Sequence, residues 1–116
     1  MSKKRQYRRN ARFHMTEKQK KIMTVVCAGN QDKNGAIVSW ADVDQIIERL
    51  DYDVTKAAFA FSIRYLCEKG LCEKGARELR RTKRRSVIVP THLGFSLMNR
   101  AAPAGFQESD DIVEMF

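Results

Sequence analysis

The chain has 116 residues, 43% of them hydrophobic, and a formal net charge of +8. Such a length suits one domain with a modest core, and the composition excludes a disordered chain. No apolar run reaches the roughly 18 residues of a membrane span, and no apolar signal core follows the charged N-terminus, so neither a membrane protein nor a secreted one is expected.

Residues 1–15, "MSKKRQYRRNARFHM", read as a basic arm in which Tyr7 and Phe13 interleave with arginines. Thr16 is a good helix N-cap with Gln19 as capping-box partner. The helix over 16–28 has Ile22, Met23, Val25 and Val26 on its apolar side and Lys18, Lys20 and Lys21 on its wet side. Gly29 and Asn30 stop it. "GNQDKNG" is a loop, and "AIVS" reads as one short strand. Ser39 is expected to cap a second helix over 40–50, with Trp40, Val43, Ile46, Ile47 and Leu50 on one face. Asp42 and Asp44 then lie in its first turn, where the helix dipole favours acids.

"DYD" is a tight turn, and Asp53 or Thr55 caps a third helix over 54–69. Val54, Ala58, Phe59, Ser62, Ile63 and Leu66 should face inward, and Gly70 should end the helix as a C′ glycine. The period then changes to two. A strand from Leu71 climbs to a basic tip near 79–84, and "SVIVP" returns antiparallel until Pro90 ends it. Thr91 caps a fourth helix over 92–101 carrying Leu93, Leu97 and Met98. "AAPAG" is a linker, so 16–101 is the folded domain and 102–116 an acidic tail.

The charge is segregated along the chain. Residues 1–14 carry +6, residues 15–74 zero, residues 75–100 +6 and residues 101–116 −4. A neutral body with two basic segments suits a surface built to meet a polyanion. Within 77–85, six cations face one acid, Glu78, and would repel one another without a negative partner.

Chemistry-bearing motifs are few. Cys27, Cys67 and Cys72 form no tight pair in sequence and have poor zinc spacing, so they read as buried reduced thiols. His14 and His92 stand alone. No glycine-rich phosphate loop, nucleophile motif or metal-spaced cluster occurs. The expectation is a cytoplasmic, nucleoid-associated protein that is not an enzyme and takes no cofactor or metal.

Two helices joined by a short turn, ahead of a hairpin with a basic tip, give the order helix, strand, helix, helix, strand, strand, helix. "IRYLCEKGLCEKG" (63–75) and "SVIVPTHLGFSLM" (86–98) carry a resemblance to the winged helix-turn-helix superfamily, most similar to bacterial regulators of the MarR and PadR kind. The resemblance implies an α+β winged helix over 16–100 and double-stranded DNA as partner. It implies that the third helix enters the major groove, with Thr55, Lys56, Ala57, Ala60, Phe61 and Arg64 on its exposed face. It implies that Arg77, Arg80, Arg81, Lys83, Arg84 and Arg85 form a wing on the backbone or in a minor groove.

Lys3, Lys4, Arg5, Arg8, Arg9 and Arg12 of the arm would add phosphate contacts. "TKAAFAFSIR" offers base edges little beyond Lys56 and Arg64, with Ala57, Ala60 and Phe61 for thymine methyls. The resemblance further implies a homodimeric transcriptional regulator, a repressor, paired through helices 16–28 and 92–101. The tail, with Asp110, Asp111, Ile112, Val113, Met115 and Phe116, resembles in composition the partner-docking tip of bacterial single-stranded-DNA-binding proteins. Three roles stay open for it: docking a protein partner, folding back on the basic wing in competition with DNA, or packing in a dimer interface. The first goes with a second reading, a winged-helix adaptor of a replication, partition or transcription assembly with weak, unspecific DNA binding.

Overall fold

In the computed structural model of the protein, which describes residues 15–80 and 82–107, the first helix, α1 (Glu17–Ala28), begins at the expected capping box. The Gln19 amide donates to Thr16 Oγ1 at 3.1 Å, and the Thr16 amide donates to Gln19 Oε1 at 2.9 Å. Two of the unpaired amides of the helix start are thereby satisfied. The helix buries Ile22, Met23, Val26 and Cys27. Gly29 follows at φ 60°, and a Cβ there would stand 2.9 Å from both the Ile37 and the Trp40 side chains.

The loop after α1 holds two short strands where one was expected. β1 (Asn30–Gln31) pairs antiparallel with β2 (Ile37–Ser39). The Asn30 amide group donates to Ser39 Oγ at 2.9 Å, so Ser39 belongs to this small sheet and caps no helix. The second helix, α2 (Val43–Arg49), starts instead at Asp42, whose carboxylate accepts from the Gln45 amide at 2.8 Å. Trp40 and Ala41 cannot join the helix because they run beside the second hairpin. The Ile88 amide donates to the Ala41 carbonyl, and Asp42 bridges Val87.

Thr55, not Asp53, caps the third helix, α3 (Lys56–Glu68). Phe59, Ile63 and Leu66 are buried as the spacing predicts, whereas Ala58 lies on the exposed side. Gly70 closes α3 at φ 81°, its amide donating to Cys67 O and that of Leu71 to Leu66 O. These are the two bonds of a Schellman motif, and the left-handed φ suits a residue without Cβ.

The strands β3 (Cys72–Arg80) and β4 (Lys83–Pro90) form the second antiparallel pair. Leu71 lies just before the strand and is buried, and its carbonyl accepts from the Thr91 amide. Thr91 caps α4 (His92–Leu97), accepting from the Gly94 amide and donating to the Gly70 carbonyl at 2.6 Å. The helix is shorter than expected, because the chain turns at Asn99, φ 57°. Its anchor is the buried Phe95, while Leu93 and Leu97 stay exposed.

Folding continues past residue 101. Ala102 and Phe106 pack against the core, and the Phe106 ring meets Trp40, Phe95 and His92 at centroid distances of 5.9, 5.1 and 5.0 Å. These are edge-to-face contacts, which add to simple area burial. The described residues make a small α+β domain of four helices and two small antiparallel sheets. None of these helices is long and apolar enough to cross a membrane.

Gly94 lets α4 lie directly on the backbone after α3. A Cβ at that position would stand 2.2 Å from the Leu71 carbonyl oxygen and 3.0 Å from Met23 Cε. Gly94→Ala is expected to cost about 3 kcal/mol, because backbone must move to admit the methyl group. The shift of the urea midpoint measures it, and an unchanged midpoint would contradict this packing of α4.

Candidate nucleic-acid interface

The hairpin β3–β4 carries Arg77, Arg80, Lys83, Arg84 and Arg85 near its tip, and a bulge sorts them onto two faces. Lys74 pairs with Ile88 and Arg77 with Ser86, so β3 contains one more residue than β4 across this interval. Side chains alternate along a strand, so one extra residue exchanges the faces beyond it. Beyond the bulge, Arg77, Leu79 and Arg84 follow Lys74 and Ser86 on one face. Glu78, Arg80, Lys83 and Arg85 occupy the other.

The second face is turned to the start of α2. Arg80 Nη1 donates to the Trp40 carbonyl at 2.9 Å, to Gln45 Oε1 at 3.2 Å and to Asp42 Oδ2 at 3.3 Å. Its Nη2 donates to Glu78 Oε1 at 2.7 Å. Arg85 pairs with Asp44, and its Nε donates to the Arg80 carbonyl at 3.0 Å. The two side chains are only 16% and 17% exposed. The sequence groups Arg80 and Arg85 with the phosphate-facing wing. In the structure each of the two has acids and carbonyls of its own chain at hydrogen-bonding distance.

The first face is open. Arg77, Leu79 and Arg84 are exposed on it, and Lys83, the partner of Arg80, is exposed at the tip. Thr82 turns the hairpin at φ 69°, a left-handed conformation unfavourable for a β-branched residue. Arg81 lies outside the described residues.

Helix α3 presents the side chains expected of it. Thr55, Lys56, Ala57, Ala60, Phe61 and Arg64 are all exposed, Phe61 at 68%. Two of them also have internal partners. Thr55 Oγ1 accepts from the Ala58 amide at 3.1 Å, and Lys56 Nζ lies 3.2 Å from Asp44 Oδ1. Asp44 therefore links α3 to Arg85 of the hairpin.

A cleft of about 420 Å³ joins the helix to the open face of the hairpin. Ala60 and Arg64 border it from α3, and Lys74 and Ser86 from the hairpin, over a floor that includes Phe59 and Ile63. Arg77 pairs with Ser86 in the ladder, so the exposed cations continue outward from the cleft along the same face. Among the described residues, Glu73 is the one acid on its wall. The arm residues Lys3, Lys4, Arg5, Arg8, Arg9 and Arg12 and the tail residues Asp110, Asp111, Ile112, Val113, Met115 and Phe116 lie outside the described residues. Of the helices expected to pair two copies, α1 uses its apolar side within its own core, and α4 leaves Leu93 and Leu97 exposed.

The network around Asp42 escaped the sequence reading, because Arg80 lies 38 residues away in the chain. The available signal was a good cap, Asp42, followed three residues later by Gln45. Asp42 is fully buried. Arg80→Met should therefore cost about 3 kcal/mol, since it leaves a buried carboxylate without its cation. In the double variant with Asp42→Ala the two losses should fall short of additivity by at least about 1 kcal/mol. Additive losses in a urea double-mutant cycle would show that the pair is not coupled. No protein-family model, curated protein or solved structure matches the chain.

Proposed function

We propose that the protein binds double-stranded DNA as a winged helix-turn-helix, with α3 in the major groove and the open face of the hairpin along the backbone, and that it acts in gene regulation. The observation that carries the reading is the cleft shared by Arg64 of α3 and Lys74 of the hairpin, from which Arg77 and Arg84 continue along one face. Arginine on such a surface can grip phosphate oxygens bidentately. The exposed side of α3 carries Ala57, Ala60 and Phe61 beside Lys56 and Arg64, so it offers methyl contacts and at most two long donors to base edges. Affinity in this reading comes mainly from phosphate, and sequence preference is modest.

Titration of a random duplex against salt tests it. Binding should weaken steeply as salt rises, through release of counterions. Replacing Arg77, Lys83 and Arg84 together by Ala should flatten the slope of log K against log salt by about 2.7, three phosphate contacts at roughly 0.9 each. The loss should be alike for all sequences, whereas Lys56→Ala and Arg64→Ala should alter sequence preference. No measurable duplex binding, or a slope that the triple variant leaves unchanged, would overturn the assignment.

A further inference from the structure

Cys67 and Cys72, five positions apart, are brought together by the turn that ends α3. Their Sγ atoms lie 3.6 Å apart, with one thiol donating to the other. Gly70 makes this possible, because its left-handed φ reverses the chain between the helix and β3. The two thiols differ in access. Both border the cleft between α3 and the hairpin, with Arg64 and Lys74, but Cys72 is buried at the start of β3 while Cys67 is only half-buried. The third thiol, Cys27, is buried in α1.

We propose that Cys67 and Cys72 form an oxidisable dithiol, in which Cys67 reacts with a peroxide entering the cleft and Cys72 resolves the product to a disulfide. In the first step the Cys67 thiolate attacks one peroxide oxygen. The O–O bond breaks, and the departing hydroxide takes up a proton as water, leaving a sulfenic acid. In the second, Cys72 sulfur attacks the Cys67 sulfur. An S–S bond forms, the S–OH bond breaks, and the hydroxyl leaves as water with the Cys72 proton. The two thiols lose two electrons, and one peroxide becomes two waters. The sulfur atoms must close from 3.6 Å to about 2.05 Å, which asks a shift of the residues flanking Gly70.

The environment favours this division of roles. The hydrogen bond from Cys72 holds the Cys67 thiol below its ordinary range, and Lys74 acts in the same direction against burial, Glu73 and Glu68. Cys72 is raised by that same bond and by burial, so it stays a thiol until it is called on. Burial pushes Cys27 up to about 11 and keeps it unreactive. The thiolate is the attacking species, so the contrast selects Cys67. This inference does not depend on DNA binding.

The test uses the reduced full chain, a small excess of hydrogen peroxide, alkylation and tryptic mapping. Trypsin releases Cys67 in "YLCEK" and Cys72 in "GLCEK". The expected product is these two peptides joined by a disulfide, with an intact mass about 2 Da lower and Cys27 still free to alkylate after unfolding. Cys72→Ala should instead accumulate a Cys67 sulfenic acid that dimedone traps, and Cys67→Ser should slow oxidation of Cys72 at least tenfold. Cys72→Ala removes a buried sulfur, so circular dichroism should first show each variant folded. If Cys72→Ala does not fold, the wild-type cross-link and its loss in Cys67→Ser decide. A linked pair of two "YLCEK" peptides, or Cys67 that remains fully alkylatable at a peroxide dose that oxidises free cysteine, would overturn the proposal.

Discussion

The arrangement of the domain turns on one buried carboxylate. Asp42 is fully shielded from water, and a bare charge there would be prohibitively unstable. Its oxygens are met by the Gln45 amide and by Arg80, and Gln45 Oε1 in turn accepts from the Asp42 amide, Arg80 and Asn30. One cluster thus caps α2, fixes the residues before it along β4, ties in the loop at β1 and holds the hairpin tip. The supporting bonds from Arg49 to Asn30 Oδ1 and the Gly29 carbonyl extend it to the end of α1. No buried side-chain polar atom among the described residues is left unsatisfied, as a cooperative polar network requires.

That constraint changes the meaning of the basic segment. In sequence, the cations of 77–85 are one block of like charge. In space, the bulge turns Arg80 and Arg85 toward Asp42, Asp44 and Glu78 and leaves Arg77 and Arg84 on the opposite face. The repulsion that an unpaired block would suffer is thus relieved on one side by the chain's own acids. On the other side it persists, and there a polyanion has something to gain by binding. The acidic first turn of α2 serves the hairpin at least as much as the helix dipole.

The features legible in the sequence are local ones. The Thr16–Gln19 box, the Thr91 cap, the Gly70 terminus and the change of period at residue 71 each involve partners within a few residues, so pattern alone reveals them. The exposed face of α3 was equally legible, since its complement Phe59, Ile63 and Leu66 repeats at helical spacing. The rest required tertiary contacts. Ser39 is as good a cap by type as Asp42, and only pairing with Asn30 and the bridge to Val87 decide between them. The bulge near Gly75, the seating of Phe106 on Trp40 and the meeting of Cys67 with Cys72 depend on geometry that residue type does not encode.

These contacts make α3 and the hairpin a single body. At the start of α3, Lys56 and Arg85 share Asp44. At its end, the Schellman turn leads into β3 with Cys67 against Cys72, and Thr91 Oγ1 locks the Gly70 carbonyl to the start of α4. The exposed side of α3 is poor in groups that discriminate bases. Under the proposed binding of double-stranded DNA, a duplex would be selected by whether its groove width and backbone path match the spacing between Arg64 and the arginines of the open face. Shape and deformability of the DNA would then carry more of the discrimination than hydrogen bonds to base edges.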